Sequence, residues 1–117
     1  MKNRIDATFA QLRDREETAF VAYVTAGDPD LERSLEILVA LAEAGADILE
    51  LGVPFSDPLA DGIVNQMAAA RSLAAGCDTP GVFDLIRRFR ESHEVPIVLY
   101  NYMNPVYAYG YADYHRD

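Results

Sequence analysis

The chain has 117 residues, half of them hydrophobic and a quarter charged, and its nineteen acids against ten bases give a formal charge of −9. This is the make-up of one small globular domain, and its acidity argues against binding nucleic acid or an anionic membrane. The single cysteine, Cys77, excludes an internal disulfide and fits a reducing compartment.

In chain order, the N-terminus reads Met-Lys-Asn-Arg-Ile-Asp, which has no apolar core of the secretory kind. No apolar run approaches the ~20 residues of a membrane helix, so a cytoplasmic protein is expected. Ile5, Phe9 and Leu12 fall at helical spacing and predict an amphipathic helix over 3–13. Phe20 to Ala26 is rich in β-branched and aromatic residues and reads as a strand. It ends at Gly27-Asp28-Pro29, where Asp28 suits a helix N-cap and Pro29 the first helical position. The helix that follows turns Leu31, Leu35, Leu38 and Leu41 inward and Glu32 and Glu36 outward, with Gly45 as its stop.

The stretch Asp-Ile-Leu-Glu-Leu-Gly-Val-Pro-Phe-Ser-Asp-Pro-Leu-Ala-Asp-Gly, residues 47–62, carries the most information. Its opening reads as a buried strand of a parallel sheet. Alternation then points Ile48, Glu50 and Gly52 to one face and Leu49, Leu51 and Val53 to the other. A loop stiffened by Pro54 and Pro58 adds the acids Asp57 and Asp61. An alanine-rich helix is expected over 63–75, ended by Gly76. Thr79-Pro80 then opens a helix with Val82, Phe83, Ile86 and Phe89 on one face, while Arg87, Arg88 and Arg90 suit a solvated face. Pro96 introduces a third strand over 97–102, Pro105 and Gly110 bracket an aromatic loop, and Tyr111 to Asp117 starts a helix. Alternating strands and helices imply right-handed β-α-β units in an α/β fold with a parallel sheet. Three strands cover their own faces poorly, so the sequence reads as the beginning of something larger.

In such folds the loops after the C-terminal strand ends hold the active site. Tyr23, Glu50, Asp57, Asp61, Tyr100, Tyr102 and Asn104 gather at or near those ends. Two acids in one pocket divide proton donation and acceptance, because burial and mutual repulsion separate their affinities for a proton. The aromatics suit a flat, apolar ligand. Plainer readings stand beside these. Asp61 before Gly62 also fits an N-cap, and Asp57 between Ser56 and Pro58 also fits a turn. A lone acid such as Glu50 in a buried strand is costly without a partner or a task. Tyr107, Tyr109 and Tyr111 suit packing or an interface. No Cys/His spacing points to a metal, Cys77 has no histidine nearby, and no glycine-rich phosphate loop is visible.

Residues 49–62, with Phe-Val-Ala-Tyr-Val-Thr-Ala-Gly-Asp-Pro at 20–29 and Pro-Ile-Val-Leu-Tyr-Asn-Tyr-Met-Asn-Pro-Val at 96–106, resemble the signature of the tryptophan synthase alpha chain. The resemblance runs over essentially the whole chain. It implies a (β/α)8 TIM barrel of typically ~250 residues, of which residues 1–117 would form one partial domain: an N-terminal helix and the first three β/α units. It implies a lyase of aromatic amino-acid biosynthesis that cleaves indole-3-glycerol phosphate to indole and glyceraldehyde 3-phosphate by a retro-aldol route, without a cofactor. Glu50 would be the general acid/base and Asp61 the carboxylate that holds the indole N–H. Tyr23, Tyr100 and Tyr102 would line the indole pocket. Asp57, Asn104 and Pro105 would meet a beta chain, which carries pyridoxal phosphate, in an alpha2-beta2 type assembly. Phosphate-holding loops would belong to later strands. Two stretches depart from the family pattern. Ile63-Val64-Asn65-Gln66 stands for Pro-x-Ile-Gln, and Gly76-Cys77-Asp78 for Gly-Val-Thr. The alternative expectation is a non-catalytic alpha-chain fragment that self-associates or docks on a beta chain.

Overall fold

The apolar runs around residues 20, 50 and 98 pair into one parallel sheet, ordered β1 (Val21–Thr25), β2 (Ile48–Gly52) and β3 (Ile97–Tyr100). The structure is a computed structural model and describes residues 2–117. Helix α1 (Arg4–Asp14) precedes the sheet and α2 (Leu31–Glu43) links β1 to β2. Helices α3 (Ile63–Ala74) and α4 (Thr79–Arg90) link β2 to β3, and α5 (Met103–Tyr109) and α6 (Tyr111–Arg116) follow. Tyr23 pairs with Glu50 and Glu50 with Val98; Thr25 pairs with Gly52 and Gly52 with Tyr100. Paired residues of a parallel sheet share a face, and the side-chain period of two then fixes the rest.

One face carries Ala22, Val24, Leu49, Leu51, Ile97 and Leu99, and α2 and α4 cover it. Leu38 of α2 and Val82, Leu85 and Phe89 of α4 complete this core. Each such side chain contributes about 1.5–3 kcal/mol on burial. The other face carries Val21, Tyr23, Ile48, Glu50, Val98 and Tyr100. Of these only Ile48 is buried; Val21, Val98 and Tyr100 are 43%, 39% and 45% exposed. Helix α1, begun by an Asn3–Asp6 capping box, reaches the N-terminal side of β3 through an Arg4–Glu94 ion pair at 2.8 Å. Of its expected apolar face, Leu12 is buried and Phe9 is exposed.

Four local expectations are corrected. Asp28 is not the cap of α2. Asp30 is, accepting from the Arg33 N–H at 2.8 Å, while Asp28 turns away to accept both arms of Arg71, at 2.9 and 3.0 Å. Asp78, not Thr79, caps α4, accepting from the Gly81 N–H at 2.8 Å, and Pro80 moves one place further into the first turn. The stretch between Pro105 and Gly110 is helix, not loop. Pro105 lies in the first turn of α5, where a missing N–H costs nothing. Of the arginine trio only Arg87 is simply solvated. Arg88 grips Glu32 of α2 at 2.7 and 3.0 Å, and Arg90 donates to the carbonyls of His93 and Val95. Among the described residues, no helix is long and apolar enough to cross a membrane.

Candidate functional site

Glu50 sits mid-way along β2 on the face the helices leave uncovered, and it is half-buried. Its neighbours on that face are Tyr23, its register partner on β1, and Val98 on β3. Two residues further along, the three strands present Thr25, Gly52 and Tyr100. Gly52 is required there. A Cβ built on it would lie 2.2 Å from the Tyr23 hydroxyl and 2.8 Å from the ring carbon bearing it. The Tyr23 phenol therefore leans over β2 toward the C-terminal strand ends, across ground that any larger residue would fill.

The loop after β2 brings the second acid to the same place. It is held from several sides. The Asp61 N–H donates to the Pro58 carbonyl at 3.1 Å and the Leu59 N–H to the Asp57 carbonyl at 2.8 Å. The Ala60 N–H donates to the Tyr102 hydroxyl at 3.0 Å, and Gln66 Nε2 donates to the Asp61 carbonyl at 2.8 Å. Tyr102 itself packs on Phe55, with ring centroids 5.3 Å apart. The Asp61 carboxylate does not cap α3. Gly62 occupies the N-cap and no side chain bonds the first turn. Instead Asp61 Oδ1 accepts from the Tyr100 hydroxyl at 3.4 Å, and the Tyr100 ring stands edge-on to Tyr23 at 5.7 Å.

Electrostatics ties the five residues together. The Tyr23 phenol titrates above its ordinary value: burial is the main cause, the Thr25 side chain opposes it, and the charges of Asp61 and Glu50 add to it. The Tyr100 phenol is raised as well, first by the Asp61 charge and then by lost hydration. Both phenols therefore hold their protons through neutral pH and act as donors, never as anions, beside two acids. Such a set offers carboxylates to accept or return protons, phenols to donate hydrogen bonds, and flat aromatic walls.

Tyr23, Glu50, Asp61, Tyr100 and Tyr102 thus come together as a group. Asp57, Asn104 and Pro105 stand outside it. Asp57 is exposed and its carboxylate accepts from Ser56 Oγ at 3.0 Å. Asn104 and Pro105 lie in the first turn of α5, Asn104 exposed and Pro105 half-buried. Among the described residues, no hydrogen bond or ion pair joins Asp57 to either. Sequence reasoning missed the bracing role of Gln66. Its signal was an amide one turn into the helix that follows the Asp61 loop. Asn65, a departure from the family pattern, borders a hollow of about 200 Å³ together with Tyr23, Thr25 and Ala68. Cys77 is buried, and burial raises its thiol pKa, in keeping with an inert residue. Among the described residues, no group of three or more His, Cys, Asp or Glu side chains is placed to hold a metal ion.

Comparison with known proteins gives a consistent result. The family model of the tryptophan synthase alpha chain matches residues 9–117. The tryptophan synthase alpha chain of Citrifermentans bemidjiense is 51% identical over 108 residues, 92% of this chain and 40% of its own length. Among solved structures, tryptophan synthase subunit alpha from Legionella pneumophila superposes with a TM-score of 0.94 at 39% identity, over 97% of this chain and 44% of that one. The tryptophan synthase complex from Pyrococcus furiosus matches with a TM-score of 0.78 at 42% identity, over 82% of this chain and 39% of that one. The chain spans less than half the length of these relatives, and its three parallel strands and flanking helices correspond to that portion of their TIM barrel.

Proposed function

This chain belongs to the tryptophan synthase alpha chain family, a family of tryptophan biosynthesis, and on that premise we propose that it carries the acid–base half of a lyase site for indole-3-glycerol phosphate. The reaction is retro-aldol cleavage to indole and glyceraldehyde 3-phosphate. One observation carries the reading. Glu50 lies on the uncovered sheet face, and the Asp61 carboxylate is drawn toward that face by Tyr100, itself seated there beside Tyr23.

The chemistry assigns the roles. The indole carbon must gain a proton before the C–C bond breaks, and the glycerol hydroxyl must lose one as the aldehyde forms. A half-buried carboxyl beside that bond performs both transfers, and Glu50, half-buried on the uncovered sheet face, is assigned this role. Protonation at the ring carbon leaves positive charge on the indole nitrogen. A carboxylate fixed by its loop stabilises that charge without moving, and Asp61 is that carboxylate. Tyr23, Tyr100 and Tyr102 form the walls that take the flat ring. No cofactor takes part in this route. Asp57, Asn104 and Pro105, on the rim outside the cluster, are assigned to contact with a beta chain, which holds pyridoxal phosphate and consumes the indole. The phosphate is gripped elsewhere in the full barrel, and such remote anchoring supplies much of the catalytic binding energy. Residues 1–117 act as one partial barrel domain, and by themselves they are expected to turn over little substrate.

The test is a chimera in which residues 1–117 replace the corresponding part of the Citrifermentans bemidjiense alpha chain. Indole release is measured with and without a beta chain. Glu50→Gln is expected to lower kcat about 100-fold or more while leaving KM within a few-fold. Turnover that survives this substitution would remove Glu50 from the mechanism.

A further inference from the structure

The three phenols of the cluster are not equivalent. Tyr100 donates its hydroxyl to Asp61, and Tyr102 accepts from the Ala60 N–H and so is tied to the loop after β2. Tyr23 is different. It is the register partner of Glu50, and its hydroxyl reaches over Gly52 to the end of β2. Both Asp61 and Glu50 act electrostatically on it. A wall needed only to hold a bare indole ring would gain nothing from this hydroxyl, because a polar group buried against an apolar ligand without a partner is a cost. The polarity makes sense if the part of the ligand lying against β1 carries oxygen.

We propose that the Tyr23 hydroxyl is a specificity-determining donor that hydrogen-bonds the side-chain hydroxyls of an indole-glycerol ligand, so that this wall selects the oxygenated three-carbon chain over an alkyl one. This rests on the lyase reading above and adds to it a residue that distinguishes ligands. Glu50 and Asp61 move protons and stabilise charge; Tyr23 donates one hydrogen bond and keeps its proton. Because phenol and acids share one face, the donor lies beside the bond that is cleaved.

The test uses the chain itself and needs no turnover. Two probes are titrated by NMR against isotope-labelled protein: indole-3-glycerol, and 3-propylindole, which has the same carbon count without the hydroxyls. Tyr23→Phe removes one oxygen and leaves the ring. Gly52→Ala keeps the hydroxyl but pushes it off β2. Thermal unfolding of each variant confirms that it is folded. The wild-type chain is expected to bind indole-3-glycerol more tightly than 3-propylindole. Tyr23→Phe is expected to weaken the glycerol probe about five-fold, the worth of one net hydrogen bond, and to leave 3-propylindole unchanged. Gly52→Ala should weaken the glycerol probe more than the propyl one. If the wild type binds both probes and Tyr23→Phe weakens both equally or neither, the donor role is overturned while the lyase site stands. Binding of neither probe by folded wild-type protein overturns both.

Discussion

The two faces of the three-stranded sheet are cut from similar cloth and meet different fates. Ala22, Val24, Leu49, Leu51, Ile97 and Leu99 lie under α2 and α4 and belong to the core. Val21, Val98 and Tyr100, one residue out of phase with them, are 39–45% exposed and flank two half-buried residues, Tyr23 and Glu50. The covered face is built by neighbours in sequence: each crossover helix folds back on the strands that flank it, as right-handed β-α-β units require. The other face is the inward side of the barrel in this family, where the layers are filled by side chains from strands far apart in the chain. Stability therefore resides on one side of the sheet and the proposed chemistry on the other. The same strand, β2, serves both: Leu49 and Leu51 face the helices, and Glu50 between them faces the uncovered side.

Paired truncations break or sharpen this contrast. Leu49→Ala, on the covered side and fully buried, is expected to cost about 3 kcal/mol, because the helices above it cannot collapse into the space. Val98→Ala, on the uncovered side, is expected to cost less than about 1 kcal/mol. Denaturant unfolding of the two variants measures the difference directly. Equal losses would mean that both faces are packed to the same degree.

The smallest effect belongs to the ion pair that ties the two covering helices. Arg88 of α4 holds the Glu32 carboxyl below the usual carboxylate range, mainly by hydrogen bonding and then by charge. A carboxyl whose pKa is lower folded than unfolded contributes stability above its unfolded value. That contribution disappears as the pH falls through the folded value. The pair is exposed and screened by salt, so its effect is slight. Thermal melts across the acid range should show stability falling through the carboxylate range, with part of the slope missing in Arg88→Ala. An unchanged slope would mean that the pair does not couple α2 to α4.

Much of this was legible in the sequence. The three strands, the facing of Glu50 away from Leu49 and Leu51, and the convergence of Tyr23, Asp61, Tyr100 and Tyr102 on the strand ends all follow from a period of two and from parallel connectivity. What was not legible depended on competition between neighbours. Asp28 and Asp30 both suit an N-cap, and only the position of Arg71 on α3, forty-three residues away, shows which one is free to cap. Pro105 and Gly110 read as loop punctuation because the helix that contains the one and ends at the other is only seven residues long, with Val106 alone buried. Arg90 looked solvated because its partners are backbone carbonyls, which no side-chain pattern announces. The need for Gly52 came from a tyrosine on another strand, a close approach that appears only once the register is set.

The measurement that bears most directly on the central claim is a map of where indole binds. Indole is titrated into isotope-labelled chain, and amide shifts are followed residue by residue. Perturbation is expected at Tyr23, Glu50, Gly52, Val98 and Tyr100 and in the loop around Asp61, with Leu38, Leu85 and Phe89 unmoved. Shifts confined to the helices of the covered side, with the strand residues of the other face silent, would contradict the assignment of that face as the site.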